Sequence, residues 1–110
     1  MKYYLFDEIS TEDMNRIEEL LKQNCASSGI DKLYWVELPE RYFNAIQANH
    51  KDCQPYLFPI EIGKDWIKAE LFVRTIKDFS CDCSDYCTKD QREFILDYMD
   101  NIIADMNVST

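Results

Sequence analysis

Tyr56-Leu57-Phe58-Pro59-Ile60-Glu61-Ile62-Gly63-Lys64-Asp65-Trp66-Ile67-Lys68-Ala69-Glu70-Leu71 is the stretch that decides the fold. Up to Ile62 its period is two, with Tyr56, Phe58, Ile60 and Ile62 on one face, which is the pattern of a strand lying on a core. Gly63-Lys64 supplies a turn, and a longer strand over residues 66–76 follows. On it Ile67, Ala69, Leu71 and Val73 share one face, and Trp66, Lys68, Glu70, Phe72 and Arg74 share the other. The pair is a hairpin, antiparallel by construction. Its mixed second face reads as a half-solvated sheet surface, available to a protein partner or to a second copy in a homo-oligomer.

Upstream of this hairpin, Leu33-Tyr34-Trp35-Val36-Glu37-Leu38 is an apolar run of strand length stopped by Pro39, a residue that donates no ladder hydrogen bond but sits well at a helix start. A short helix over residues 39–49 is expected, with Tyr42, Phe43, Ile46 and His50 along one side. Earlier still, Ser10 or Thr11 caps a helix whose apolar positions Met14, Ile17, Leu20, Leu21 and Cys25 recur at three and four. Glu12 and Asp13 complement the dipole of its first turn, and Ser28-Gly29 ends it. Residues 2–6, with three aromatics and a leucine, suit an N-terminal strand.

Downstream, a polar and cysteine-rich loop over residues 78–87 leads into a helix capped by Thr88 or Asp90. Phe94, Ile95, Tyr98, Met99, Ile102, Ile103 and Met106 form its apolar stripe. The element order β-α-β-α-β-β-α predicts an α+β chain folded as a two-layer α/β sandwich over residues 1–110, a single domain. About four strands would form the sheet, with two main helices on one face and one short extra helix. A right-handed crossover makes the first two strands parallel if they share the sheet, so with an antiparallel hairpin a mixed sheet is expected.

Twenty-one acidic residues against twelve basic ones give a formal charge of -9, which repels phosphate backbones and anionic bilayers alike. Direct nucleic-acid binding and membrane association are therefore disfavoured. Two glycines, Gly29 and Gly63, exclude a glycine-rich phosphate loop. The N-terminus reaches Asp7 too soon for a secretory leader, so a cytoplasmic protein is expected.

The chemistry is concentrated in two clusters. His50-Lys51-Asp52-Cys53 holds the single histidine, and Cys81-Asp82-Cys83-Ser84-Asp85-Tyr86-Cys87 holds three of the five cysteines. Clustered cysteines in a reducing compartment are metal ligands or redox groups more often than structural bridges. Zinc takes four N or S ligands tetrahedrally, and two local groups brought together by a hairpin supply them. The leading expectation is one structural zinc held by His50, Cys53 and two of Cys81, Cys83 and Cys87, in a regulatory or protein-interaction module. Cys87 lies just before a helix start, where the positive end of the dipole favours a thiolate. Cys25 belongs to the first helix's apolar face.

Two alternatives compete. A metal-free acidic protein could block or mimic a nucleic-acid site through Glu12, Glu18, Glu19, Asp97, Asp100 and Asp105. A thiol redox switch would form a disulfide within the loop from Cys81 to Cys87. Enzymatic activity is not expected: with one histidine there is little room for a nucleophilic system, and Glu37 and Glu61, the carboxylates flanked by apolar residues, read as alternation on a solvated face.

Overall fold

The computed structural model describes residues 2–78 and 80–110. The hairpin forms as β4 (Tyr56–Ile62), followed by β5 (Ile67–Glu70) and β6 (Phe72–Thr75), which run on from one another with Leu71 between them. Gly63 closes the turn by donating its N–H to Trp66 O at 2.8 Å. A Cβ at position 63 would stand 2.0 Å from the Trp66 indole, so no larger residue leaves that ring flat on the turn.

Around this centre stand β1 (Tyr3–Phe6), α1 (Thr11–Asn24), β2 (Ala26–Ser27), β3 (Leu33–Glu37), α2 (Ala45–Asn49), β7 (Asp85–Tyr86) and α3 (Lys89–Asp105). The strands make one sheet in the order β1-β5-β4-β3-β2, with β6 beside the first part of β4 and β7 beside β6. Every pairing is antiparallel.

The expectation of a mixed sheet of about four strands is thus corrected to a wholly antiparallel sheet of seven. A parallel pair would have required β1 and β3 to be neighbours. Instead β1 takes one edge against β5 and β3 lies on the far side of β4, so α1 carries the chain from one edge of the sheet towards the other. Of the three additional strands, one arises because the expected strand over residues 66–76 is divided into β5 and β6, and the other two, β2 and β7, are two residues each and too short to show a period.

The expected helix over residues 39–49 is also split. A 3-10 turn at Glu40–Tyr42 is followed by extended Phe43 and Asn44 before α2 begins, because Asn44 caps α2 by accepting the Gln47 N–H. Ile46, assigned to the apolar side, is exposed.

Pro59 sits within β4 opposite Trp35 of β3. On its other side the register changes: Ile60 faces Ala69, yet Leu57 faces Arg74 where continuous pairing would bring Phe72. Two residues bulge out across the proline, as expected where a ladder donor is missing. The bulged Leu71 donates to Lys2 O at 2.9 Å and accepts from Cys87 N at 3.4 Å, so the bulge fastens both β1 and the chain leading to α3.

α1 and α3 pack Ile17, Leu21, Ile95, Met99 and Ile102 against Val36, Phe58, Ile60, Ile67 and Ala69 of the sheet. Ser10 caps α1 by accepting Asp13 N–H, and Thr88 caps α3 by accepting Gln91 N–H. A second, smaller cluster of Leu38, Cys53, Tyr56, Val73 and Cys83 gathers at the end of the sheet where β4 begins. No described helix is long and apolar enough to cross a membrane.

Candidate metal centre

His50 is the C-cap of α2 and also opens the 3-10 turn Lys51–Cys53. That tight turn closes with Cys53 N–H donating to His50 O at 3.0 Å, which brings the two side chains of the first cluster to one side. The second cluster turns as well. Asp78 accepts from Ser80 N and Ser80 Oγ at 3.0 and 2.7 Å, Cys81 N donates to Asp78 O at 3.1 Å, and Ser84 N donates to Cys81 O at 3.5 Å. A Cys-x-Cys pair in extended backbone would hold its thiols on one side but roughly 6–7 Å apart; these turns bring them together.

The result is a cage of four ligand atoms, His50 Nδ1 and the Sγ atoms of Cys53, Cys81 and Cys83, all within 4.8 Å of one another. His50 Nδ1 lies 2.9 Å from Cys83 Sγ and 3.2 Å from Cys81 Sγ. Cys81 Sγ lies 2.9 Å from Cys83 Sγ and 3.5 Å from Cys53 Sγ. A tetrahedral site with metal–sulfur bonds of about 2.3 Å has edges of roughly 3.8 Å, so the cage seats an ion after a small outward movement. Cys53 and Cys83 are buried, while His50 lies on the solvent side.

No protein-family model, curated protein or solved structure matches this chain. The chemistry of the cage therefore rests on its own residues. These four side chains can hold a metal ion.

Electrostatics sort the four ligands. The Cys81 thiol is pulled down to about 7 by hydrogen bonds from the Cys83 thiol and backbone N–H and from His50. Cys53 is pushed up to about 12, first by burial and then by the neighbouring Cys81 and Cys83, and burial raises Cys83 too. His50 is held above its ordinary range by its hydrogen bond to Cys81, with the charges of Cys81 and Asp82 adding to it. Three sulfurs crowded this closely resist ionising together, which a shared cation relieves.

Cys87 stands outside the group. It is half-buried, packs between the two apolar clusters and donates its N–H to Leu71 O. Its thiol is pushed up to about 11 by burial and by the charge of Glu70, so the dipole-assisted thiolate expected before α3 does not arise there. Cys25 hydrogen-bonds the Tyr98 hydroxyl on the far side of the molecule. Glu61 pairs with Lys68, and Glu37 is exposed on the sheet edge, as befits solvated positions.

Three residues around the cage carried no signal in the reading of ligand types. Gln47, Thr75 and Gln91 are the buried polar side chains among the described residues, and all three serve this end of the molecule. Thr75 Oγ1 donates to Cys53 O at 2.6 Å, and Gln47 Nε2 donates to Cys83 O at 3.0 Å. Tyr56, also fully buried, donates its hydroxyl proton between Gln47 O and His50 O, at 2.8 and 3.0 Å. The backbones of three of the four ligands are thus each held by a buried side chain. Asn44-x-x-Gln47 and Thr88-x-x-Gln91 are capping-box patterns, and that spacing is the signal by which the glutamines could have been found.

Proposed function

We propose that the protein is a small acidic module stapled by one structural zinc ion at His50, Cys53, Cys81 and Cys83, acting on a protein partner. The observation that carries the reading is the mutual closeness of these four ligand atoms, within 4.8 Å, at the meeting point of two loops otherwise 28 or more residues apart. Three thiolates and an imidazole favour zinc among the common divalent ions, because soft sulfur donors in a tetrahedral set suit it and exclude magnesium and calcium. Four protein ligands leave no position for water, so the role assigned to the ion is structural rather than hydrolytic.

The partner half of the reading is supported by the charge of -9, which suits a protein surface of opposite sign and predicts a salt-sensitive complex. Native mass spectrometry of protein expressed with added zinc tests the metal half. The expected spectrum shows one zinc per chain, lost on chelation under denaturing conditions. A bare-chain mass before and after chelation overturns it. Alkylation of the native protein separates the redox alternative: thiolates bound to zinc react slowly, and a Cys81–Cys83 disulfide would instead appear as a reductant-dependent mass.

A further inference from the structure

We propose that Gln47 and Gln91 form an amide relay that positions the Cys83 loop and couples metal occupancy to the start of α3. The proposal rests on the metal reading above and describes how that site is held and regulated.

Each glutamine is the third residue of its helix and closes a capping box, with Gln47 reaching back to Asn44 and Gln91 reaching back to Thr88. Gln47 Oε1 accepts Asn44 N–H at 3.0 Å, and Gln91 Oε1 accepts Thr88 N–H at 3.0 Å. Because a backbone N–H can only donate, each side-chain oxygen is fixed towards its own helix start and each NH2 group is turned away from it. The freed donors then link the two boxes. Gln91 Nε2 donates to Gln47 Oε1 and to Tyr42 O, both at 2.9 Å, and Gln47 Nε2 donates to Cys83 O at 3.0 Å.

A continuous path therefore runs from the α3 cap through two buried amides to the backbone of a metal ligand. Both amides are 0% exposed. If Cys83 withdraws, Gln47 Nε2 is left as a buried donor without a partner and Gln47 loses its orientation, which in turn loosens the bond from Gln91. Glutamate would satisfy either capping box equally well but has no NH2 to pass the bond on. That difference separates capping from relay.

The experiment titrates zinc, and in a parallel series cobalt(II), into metal-free wild type, Gln91→Glu, Gln91→Met and Thr88→Ala, with a chromophoric chelator as competitor. Gln91→Glu keeps the cap acceptor and loses the relay donor; Gln91→Met, which is apolar and of similar size, serves if a buried carboxylate prevents folding. Thr88→Ala removes the side-chain cap and keeps the relay. Both Gln91 variants are expected to bind zinc roughly 10- to 100-fold more weakly and to shift the cobalt–thiolate absorption, a signature that loss of stability alone does not move. Thr88→Ala is expected to melt lower with the wild-type spectrum and affinity. Zinc should also slow amide exchange at residues 89–92 in wild type and not in Gln91→Met. Gln91 variants that bind like wild type, or a Thr88→Ala variant as impaired as Gln91→Met, overturn the relay while leaving the metal site standing. A wild type that takes up no zinc overturns both.

Discussion

The two ends of the β4 strand are built on different principles. Under α1 and α3 the contacts are apolar throughout: Ile17, Leu21, Phe58, Ile60, Ile67, Ile95 and Met99 are all buried among themselves. At the other end the apolar cluster shrinks to Leu38, Cys53, Tyr56, Val73 and Cys83, and the three buried polar side chains crowd around it. The first end is held by the area it removes from water, with each fully buried aliphatic side chain contributing about 1.5–3 kcal/mol. The second has too few such side chains to order two loops. It is held by directed bonds to carbonyl groups and, on the proposal above, by an ion. Where area is scarce, geometry must take over.

The comparison breaks first at its larger half. Phe58→Ala should destabilise the fold by about 3–5 kcal/mol, read as a lower denaturant midpoint, while the folded fraction still binds one metal. Loss of metal stoichiometry in protein that remains folded would show that the two ends are not separable.

At the smaller half, Cys83→Ser should weaken zinc affinity by about two orders of magnitude or more, as expected when one of four ligands to a tightly held structural ion is removed. Hydrogen exchange should then accelerate over residues 50–56 and 80–88 and remain slow in α1 and the core of α3. Uniform acceleration across the chain would contradict the division.

A pH experiment sharpens it further. In the metal-free chain at pH 7 Cys53, pushed up to about 12, and Cys83, also raised, hold their protons, whereas Cys81 at about 7 is half ionised. Metal uptake at pH 7 should release roughly three protons, two from Cys53 and Cys83 and the rest from Cys81 and the raised His50, and apparent affinity should fall as pH drops throughout the neutral range. Calorimetry in buffers of different ionisation enthalpy reads that number, and a buffer-independent heat would refute it.

The smallest effect belongs to the surface of the helical end. Lys32 holds Glu18 below the ordinary carboxylate range through a 2.7 Å ion pair. A carboxylate depressed on folding stabilises above its unfolded range and loses that contribution as pH falls through its folded value. Lys32→Ala should therefore lower stability only slightly at pH 7, as for a solvent-screened surface pair, and should make no difference at pH 2, by thermal melts at both.

How much of this could be read in the sequence follows the same division. α1 and α3 were legible because each carries an apolar stripe together with a capping residue, Ser10 and Thr88, and the hairpin because Gly63 interrupts a clean alternation. Strand order was not legible. Alternation in residues 2–6 and 33–37 says which face of each strand is buried and nothing about which neighbour it meets, so β1 beside β5 came only from the structure. At the site the ligand types and their two clusters were visible, and the exclusion of Cys87 was not, because that depends on where the bulged Leu71 takes its backbone bond. The roles of Gln47 and Gln91 were hidden for a related reason. A capping box shows what a glutamine oxygen does, and only the tertiary fold shows where its nitrogen points.

The bulge opposite Pro59 adds two residues, an even number, to the β5–β6 side of the ladder. Sidedness alternates residue by residue, so an even insertion leaves Val73 and Thr75 on the same buried side as Ile67 and Ala69. A single inserted residue would turn Thr75 outward and strip Cys53 O of its donor. This segment can change length only in steps of two, a parity rule that any lineage or designer lengthening the strand would have to obey to keep the cage.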